Sequence, residues 1–178
     1  VNELIEMGFI HPQNQREILL HPIIREVALE ELKPSVQNCS ALLNSLETLC
    51  LAHGMEFMEY RQIFQIVEDI ISNIKKDDIP RYLLFLEDCF QLMHKYNYSQ
   101  GMNAIICELS AILSDKTNGT AKDRALLLYC RSACETNPQK AIRLTEQALQ
   151  VLGPINMDTA PFAANLHNNL GTFYSNER

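Results

Sequence analysis

The sequence predicts an all-α protein with one short β-hairpin near its N-terminus. From Pro34 onward, apolar residues recur at steps of three and four, the spacing that places them on one face of a helix. Short polar breaks divide this part of the chain into segments about one helix long, and none of these segments alternates as a strand would. Residue types that favour helix starts stand at several of the breaks.

The first residues follow a different pattern. Residues 2–7 carry a helical pattern that Gly8 would end, because glycine readily takes the left-handed conformation common at helix ends. Two apolar runs, Phe9-Ile10 and Ile18-Leu19-Leu20, then flank the polar, turn-forming segment 11–16. Two short apolar runs around such a segment predict a β-hairpin.

A helix is predicted directly after the hairpin, since Pro22 suits a first helical turn. Apolar residues follow it at helical spacing: Ile23, Ile24, Val27, Ala28 and Leu32. Helix, hairpin and helix in this order predict the C-terminal part of a winged-helix domain at residues 1–33. We interpret residues 34–77 as a helical arm or degenerate repeat, and residues 78–178 as helical repeats.

Seven further helices are predicted at about 34–53, 56–75, 79–96, 98–114, 120–136, 138–152 and 159–176. Four of their starts are marked chemically: Asp78 before Pro80, Thr120 with Asp123 three residues later, Asn137 before Pro138, and Asp158-Thr159 before Pro161. We also expect Gly101 to ease close packing at the turn that precedes the fourth of these helices.

Small residues recur two helical turns apart in two of the predicted helices. Ala104 and Ala111 form one pair, Ala141 and Ala148 form the other, and the pairs lie 37 residues apart. This spacing, together with Leu170-Gly171-Thr172-Phe173-Tyr174, resembles the tetratricopeptide (TPR) family over residues 79–178. The resemblance implies an α-solenoid of stacked helical hairpins whose last hairpin is truncated.

The chain departs from the TPR pattern in several ways. It contains no Trp, and Leu92 and Tyr129 stand where small residues of a first helix are expected. An irregular helical bundle is the alternative interpretation. The match from Ala164 to Tyr174 favours the repeats, because it is specific to the TPR family. Alanine spacing alone would not decide, since it is common in packed helices.

The N-terminal segment resembles the winged-helix end of STAND, or NB-ARC, signalling ATPases, through Leu4-Ile5-Glu6-Met7-Gly8-Phe9-Ile10 and Leu20-His21-Pro22-Ile23-Ile24-Arg25-Glu26-Val27. In that family a Met-His-Asp motif opens the helix after the wing, and its histidine contacts a phosphate of bound ADP. The resemblance implies that His21 is the nucleotide sensor, although Pro22 replaces the usual Asp. In the alternative, His21 only packs at the junction between strand and helix.

Several functional classes are excluded or disfavoured. The formal net charge of -7 makes nucleic acid an unlikely partner, because such binding depends on clustered Lys and Arg. No apolar run is long enough for a membrane span, and the six cysteines form no CxxC pair that would indicate zinc. The single histidines stand without a nucleophile and base, so we expect no enzyme activity in this chain. Because no membrane span is predicted, we expect a cytoplasmic location.

The sequence therefore predicts a non-catalytic protein- or peptide-interaction and sensor module of a larger STAND-type regulator. The chain has no Gly-rich phosphate loop. Binding of ADP or ATP would thus need an upstream domain, and no cofactor is expected in this chain. The alternative is the ligand-binding TPR domain of a peptide-sensing bacterial transcription regulator. We expect the chain to be a piece of a longer protein, and to self-associate through its last helix.

Overall fold

The computed structural model describes Met7 and residues 10–12, 18–20, 22–51 and 57–176. Two strands, β1 (Ile10–Pro12) and β2 (Ile18–Leu20), precede the helices. The helices are α1 (Pro22–Leu32), α2 (Ser40–Leu51), α3 (Phe57–Asn73), α4 (Ile79–Lys95), α5 (Ser99–Ser114), α6 (Ala121–Ala133), α7 (Pro138–Leu152) and α8 (Ala160–Asn176).

The two strands pair antiparallel in the predicted apolar runs. Ile10 lies opposite Leu20, and Pro12 lies opposite Ile18. Residues 2–6 of the predicted helix at 2–7, and the connection at 13–17, fall outside the described residues. The winged-helix assignment of this region therefore stays a prediction.

The prediction that the chain is all-α from Pro34 onward is confirmed for the described residues, and each of the seven predicted helices is present. The first begins at Ser40 and not at Pro34. Ser35 forms a bridge instead and residues 36–39 form a turn, because the backbone of residues 34–36 bonds to a distant segment. Val36 N–H donates to the Lys75 carbonyl at 3.0 Å, and Lys75 N–H donates to the Pro34 carbonyl at 2.8 Å.

All four predicted helix starts are confirmed, and a side-chain cap is present at three of them. Asp78 accepts a hydrogen bond from Arg81 N–H, and Asn137 accepts one from Lys140 N–H. Thr120 and Asp123 form the reciprocal capping box that satisfies two backbone donors at the start of α6. The helix predicted to follow Asp158-Thr159 begins at Ala160. In the turn before it, the carboxamide oxygen of Asn156 accepts from the N–H groups of residues 158 and 159, each at 3.0 Å.

Helices pack mainly against their neighbours along the chain and against the next helix but one. Sequential contacts join α4 to α5, α5 to α6, α6 to α7 and α7 to α8. Alternate contacts join α2 to α4, α4 to α6 and α3 to α5. Two layers result. The first-helix layer contains α2, α4, α6 and α8, and the second-helix layer contains α3, α5 and α7. In the first-helix layer, α8 contacts α6 through the Phe162 ring, which meets the edge of Tyr129.

The buried positions recur along each layer. The buried residues 63, 64, 67 and 71 of α3, together with residue 74 just after it, are matched 38 residues later by 101, 102, 105, 109 and 112 of α5. From α4 to α6 the spacing is 40 residues, through 85, 86, 90 and 92 to 125, 126, 130 and 132. From α5 to α7 it is again 40, through 101, 102, 105 and 112 to 141, 142, 145 and 152.

This recurrence corrects the predicted spacing of 37 residues. Ala141 and Ala148 are fully buried, whereas Ala104 is half-buried and Ala111 is exposed. The residue of α5 that matches Ala141 is Gly101. A side chain at Gly101 would meet the Met93 Sδ atom at 2.5 Å, so its predicted role in close packing is confirmed.

Candidate functional site

The predicted nucleotide residue, His21, lies outside the described residues. The structure describes both of its neighbours, since Leu20 ends β2 and Pro22 begins α1.

A short connector, Lys33–Gln37, joins α1 to the helical layers. Lys33 ends α1 with a φ of 43°, a left-handed conformation that ends a helix. Ser35 pairs with Lys75 in a parallel bridge, and Gln37 N–H donates to Asp77 Oδ1 at 3.2 Å. A hydrogen bond from Ser35, followed by the Gln37 amide, holds the pKa of Asp77 below its ordinary value. The connector is thus fixed to the turn between α3 and α4 by backbone and side-chain bonds.

Ion pairs link successive helices of the first-helix layer. The guanidinium of Arg81 on α4 contacts both carboxylate oxygens of Glu47 on α2, at 2.5 and 2.7 Å, and also donates to Asn44 at 2.7 Å. Lys122 on α6 pairs with Glu87 on α4 at 2.8 Å. Both contacts join a glutamate to a cation on the next helix of the layer, 34 or 35 residues later.

Aromatic and amide groups continue this surface to α8. The Lys122 ammonium lies 6.0 Å from the centre of the Phe162 ring, and Phe162 contacts the edge of Tyr129 at 5.8 Å. Burial raises the pKa of Tyr129, and the nearby Asn169 side chain opposes this rise. We define the first-helix face as Asn44, Glu47, Arg81, Glu87, Asp88, Lys122, Tyr129 and Asn169.

Asp88 is the carboxylate of this face that has no ion-pair partner among the described residues. Burial raises its pKa, and the negative charges of Glu47 and Glu87 add to this effect. The sequence did not predict these residues as a functional site. Each ion pair of this face joins a glutamate to a cation 34 or 35 residues later, and this spacing is visible in the sequence. Many other opposite charges in the chain have similar separations, so the spacing alone does not identify the pairs.

Two open grooves lie elsewhere on the molecule. One, of about 250 Å³, is mainly apolar and lies between the end of α1, α2 and α3. The other, of about 390 Å³, lies between α5, the end of α6 and α7. Residues of the second groove include Asn103, Arg131 and Leu144.

The histidines of the described part do not assemble into a site. His94 stacks on Phe90 at 6.0 Å, and His167 is exposed on α8. Within the same residues, no three side chains of the types that bind metals come together, and all six cysteines are free. No described helix has both the length and the apolar character needed to cross a membrane. The arrangement of the first-helix face is suited to reading another molecule by charge and hydrogen bonding.

The predicted self-association surface on α8 is partly exposed. Leu170 and Phe173 are half-buried, and Tyr174 remains 48% exposed although its hydroxyl contacts Glu146 at 3.1 Å. A side chain added at Gly171 would meet no atom within 4 Å among the described residues. Apolar surface is therefore available on this helix.

Comparisons of the chain with family models, with curated proteins and with solved structures gave no match in any of the three.

Proposed function

We propose that this chain is a non-catalytic protein- or peptide-interaction and sensor module of a larger, nucleotide-switched STAND-type regulator. The observation that carries the proposal is the recurrence of buried positions every 38 to 40 residues across successive helical pairs. Stacked repeats of this kind present extended surfaces, and proteins built from them commonly bind other proteins or peptides. The recurrence supports TPR-like hairpins in an α-solenoid more than an irregular bundle.

The first-helix face is the surface we propose for the partner. It crosses four helices, so a bound peptide would contact several repeats at once. Its ion pairs fix the positions of Arg81, Glu47, Lys122 and Glu87, and Asp88 offers a carboxylate without a paired cation in the described chain. Fixed polar groups lower the entropic cost of binding.

The connector supplies a physical route from this surface to the nucleotide switch. Any shift of α3 or α4 acts on the turn at residues 75–77, which is hydrogen bonded to the connector. The connector continues into α1, and His21 directly precedes α1. In this mechanism the partner favours one arrangement of the stack, and His21 gains or loses its contact with a phosphate of ADP supplied by an upstream domain.

Retention of ADP tests the proposal. The protein to be studied is a longer one that includes the sequence preceding Val1, compared with its His21→Ala and His167→Ala variants. We expect ADP to copurify with the parent and with His167→Ala, and to exchange faster in His21→Ala. His167 is a suitable control because it is an exposed histidine on α8.

If the longer protein holds no nucleotide in any variant, the STAND proposal fails. The ligand-binding TPR domain of a peptide-sensing transcription regulator would then become the better interpretation, with His21 a structural residue. A DNA-binding domain preceding Val1 would point the same way.

The connector is tested in the same longer protein. Asp77→Ala removes the acceptor for Gln37 N–H and should change the rate of ADP exchange. Asp115→Ala is the matched control, because Asp115 also accepts from a nearby backbone N–H but lies in the turn after α5. Equal exchange rates in the parent and in Asp77→Ala would remove the connector from the mechanism.

A further inference from the structure

The second-helix layer is closed on one side of α5 and open on the other. Between α3 and α5 the helices pack directly, and Gln100 Nε2 donates to Glu68 Oε2 at 3.1 Å. The rings of Phe64 and Tyr98 stack at 4.7 Å at the same boundary. Between α5 and α7 no comparable packing occurs, and the groove of about 390 Å³ lies there. We call it the α5–α7 groove.

Both apolar and polar side chains line the α5–α7 groove. The apolar ones include Ile106 on α5 and Leu144 on α7, and Cys134 also lines it, with its Sγ atom 4.0 Å from Met102 Sδ. Asn103 on α5 contributes an exposed carboxamide. These groups can contact an aliphatic side chain and a peptide bond together.

The charges that line the groove are not balanced locally. Lys140 pairs with Glu135 at 2.5 Å, and this contact holds the pKa of Glu135 below its ordinary value. Arg131 donates to the Ser110 hydroxyl at 3.0 Å and has no carboxylate partner among the described residues. A guanidinium has five N–H donors in a planar fork, so Arg131 retains donors for a ligand.

We propose that the α5–α7 groove binds an acidic side chain of a peptide partner, flanked by aliphatic residues. The carboxylate accepts hydrogen bonds from Arg131, the aliphatic neighbour packs between Ile106 and Leu144, and Asn103 bonds to the peptide backbone. Among the described residues, Glu135 is the one carboxylate that lines the groove, and its pairing with Lys140 disfavours a basic peptide. This proposal rests on the proposed interaction function, and it adds the α5–α7 groove to the first-helix face as a second surface, one that binds an acidic peptide.

The test uses the N-acetylated, C-amidated pentapeptide Ala-Leu-Glu-Leu-Ala and its neutral analogue with Gln in place of Glu. Binding is followed by methyl NMR of Ile106 and Leu144, with Leu84 of the first-helix layer as a reference that is 52% exposed. We expect the Glu peptide to shift the resonances of Ile106 and Leu144, and to bind about tenfold more tightly than the Gln peptide, or about 1.4 kcal/mol.

Two variants define the site. Arg131→Gln should weaken binding of the Glu peptide to that of the Gln peptide, because it removes the charged donor. Arg143→Gln is the matched control, since Arg143 is an exposed arginine of α7 that does not line the groove. Arg131 is itself exposed, so the thermal midpoint of its variant should equal that of the parent chain.

Equal binding of the two peptides, equal weakening by the two arginine variants, or unshifted Ile106 and Leu144 resonances would each overturn the proposal. Shifts at Leu84 alone would place the peptide on the first-helix face, which removes the groove but leaves the interaction function standing. ADP retention in the longer protein is measured separately, so failure of the groove and failure of the STAND proposal are distinguishable.

Discussion

The helices α2–α5 and the helices α6–α8 build their cores from side chains of different size. Among the described residues, every fully buried aromatic ring lies in α3 or α4: Tyr60, Phe64, Tyr82, Phe85 and Phe90. The largest fully buried side chains of α6–α8 are those of Leu126 and Leu166. In α6–α8 many buried residues are small: Ala125, Ser132, Ala141, Thr145, Ala148 and Ala163. The core of α2–α5 is thus filled by bulky side chains, whereas the core of α6–α8 includes many small ones.

The difference shows how the same two-layer arrangement can follow from unlike sequences. Small residues let two helix backbones approach closely, and the pair α6 and α7 has the most extensive contacts in the described chain. Its buried hydroxyls are satisfied within the helix turns, since Ser132 donates to the Tyr129 carbonyl and Thr145 donates to the Ala141 carbonyl. In α2–α5, buried aromatic rings pack between the helices instead.

The largest effect is expected from Phe85→Ala. Phe85 is fully buried, and its loss leaves a cavity that the surrounding rings cannot fill, at a cost of about 3–5 kcal/mol in the free energy of unfolding. Urea denaturation followed by circular dichroism gives this value. Leu84→Ala is the control on the adjacent, 52% exposed position, with an expected change of about 0.5 kcal/mol or less. Similar costs at both positions would contradict the assignment of a bulky core.

Enlarging a small residue should be harmful only where helices approach closely. Ala148→Leu should lower the free energy of unfolding by about 1–3 kcal/mol, because Ala148 is fully buried. Ala111→Leu should change it by about 0.5 kcal/mol or less, because Ala111 is exposed on α5. The same denaturation measurement serves for both. If Ala111→Leu cost as much as Ala148→Leu, the predicted 37-residue equivalence would be right and the burial pattern wrong.

Two helical glycines should respond in opposite directions to alanine. Gly101→Ala should destabilise by about 1 kcal/mol, since the added methyl meets Met93 and Tyr98 at 2.5 to 2.8 Å and only part of the strain is relieved by the flexible Met93. Gly171→Ala should stabilise by about 0.5–1 kcal/mol, because alanine favours the helix and open space surrounds the site. Thermal midpoints would show this difference in sign, and equal signs would refute it.

The smallest expected effect is on Asp88. Its raised pKa means that its charge is disfavoured in the folded state, so stability from this group is present below the ordinary value of 3.8 and is lost as the pH rises through the folded pKa. Asp88→Asn should therefore raise the thermal midpoint slightly near neutral pH, and the gain should vanish under acid conditions. A lower midpoint near neutral pH would mean that Arg81 and Lys122 outweigh burial.

Much of the local structure could be predicted because it depends on residues within one or two helical turns. The capping box at Thr120, the Asn137 start and the burial of Ala141 and Ala148 are of this kind. The start of α2 could not be predicted, because residues 34–36 bond to Lys75 across about forty residues. The pairing of Arg81 with Glu47 escaped prediction for the same reason, since it needs two helices to be placed first.

The sequence by itself determined the helices, their polar starts and the apolar stripes that must be buried, because short-range hydrogen bonding and side-chain spacing act within each segment. Only the tertiary structure decided which stripes meet, how far apart they recur and where a gap remains between α5 and α7. Those features depend on the volumes of side chains brought together from distant segments. The residue pattern of one helix does not determine the shape of the helix surface that packs against it.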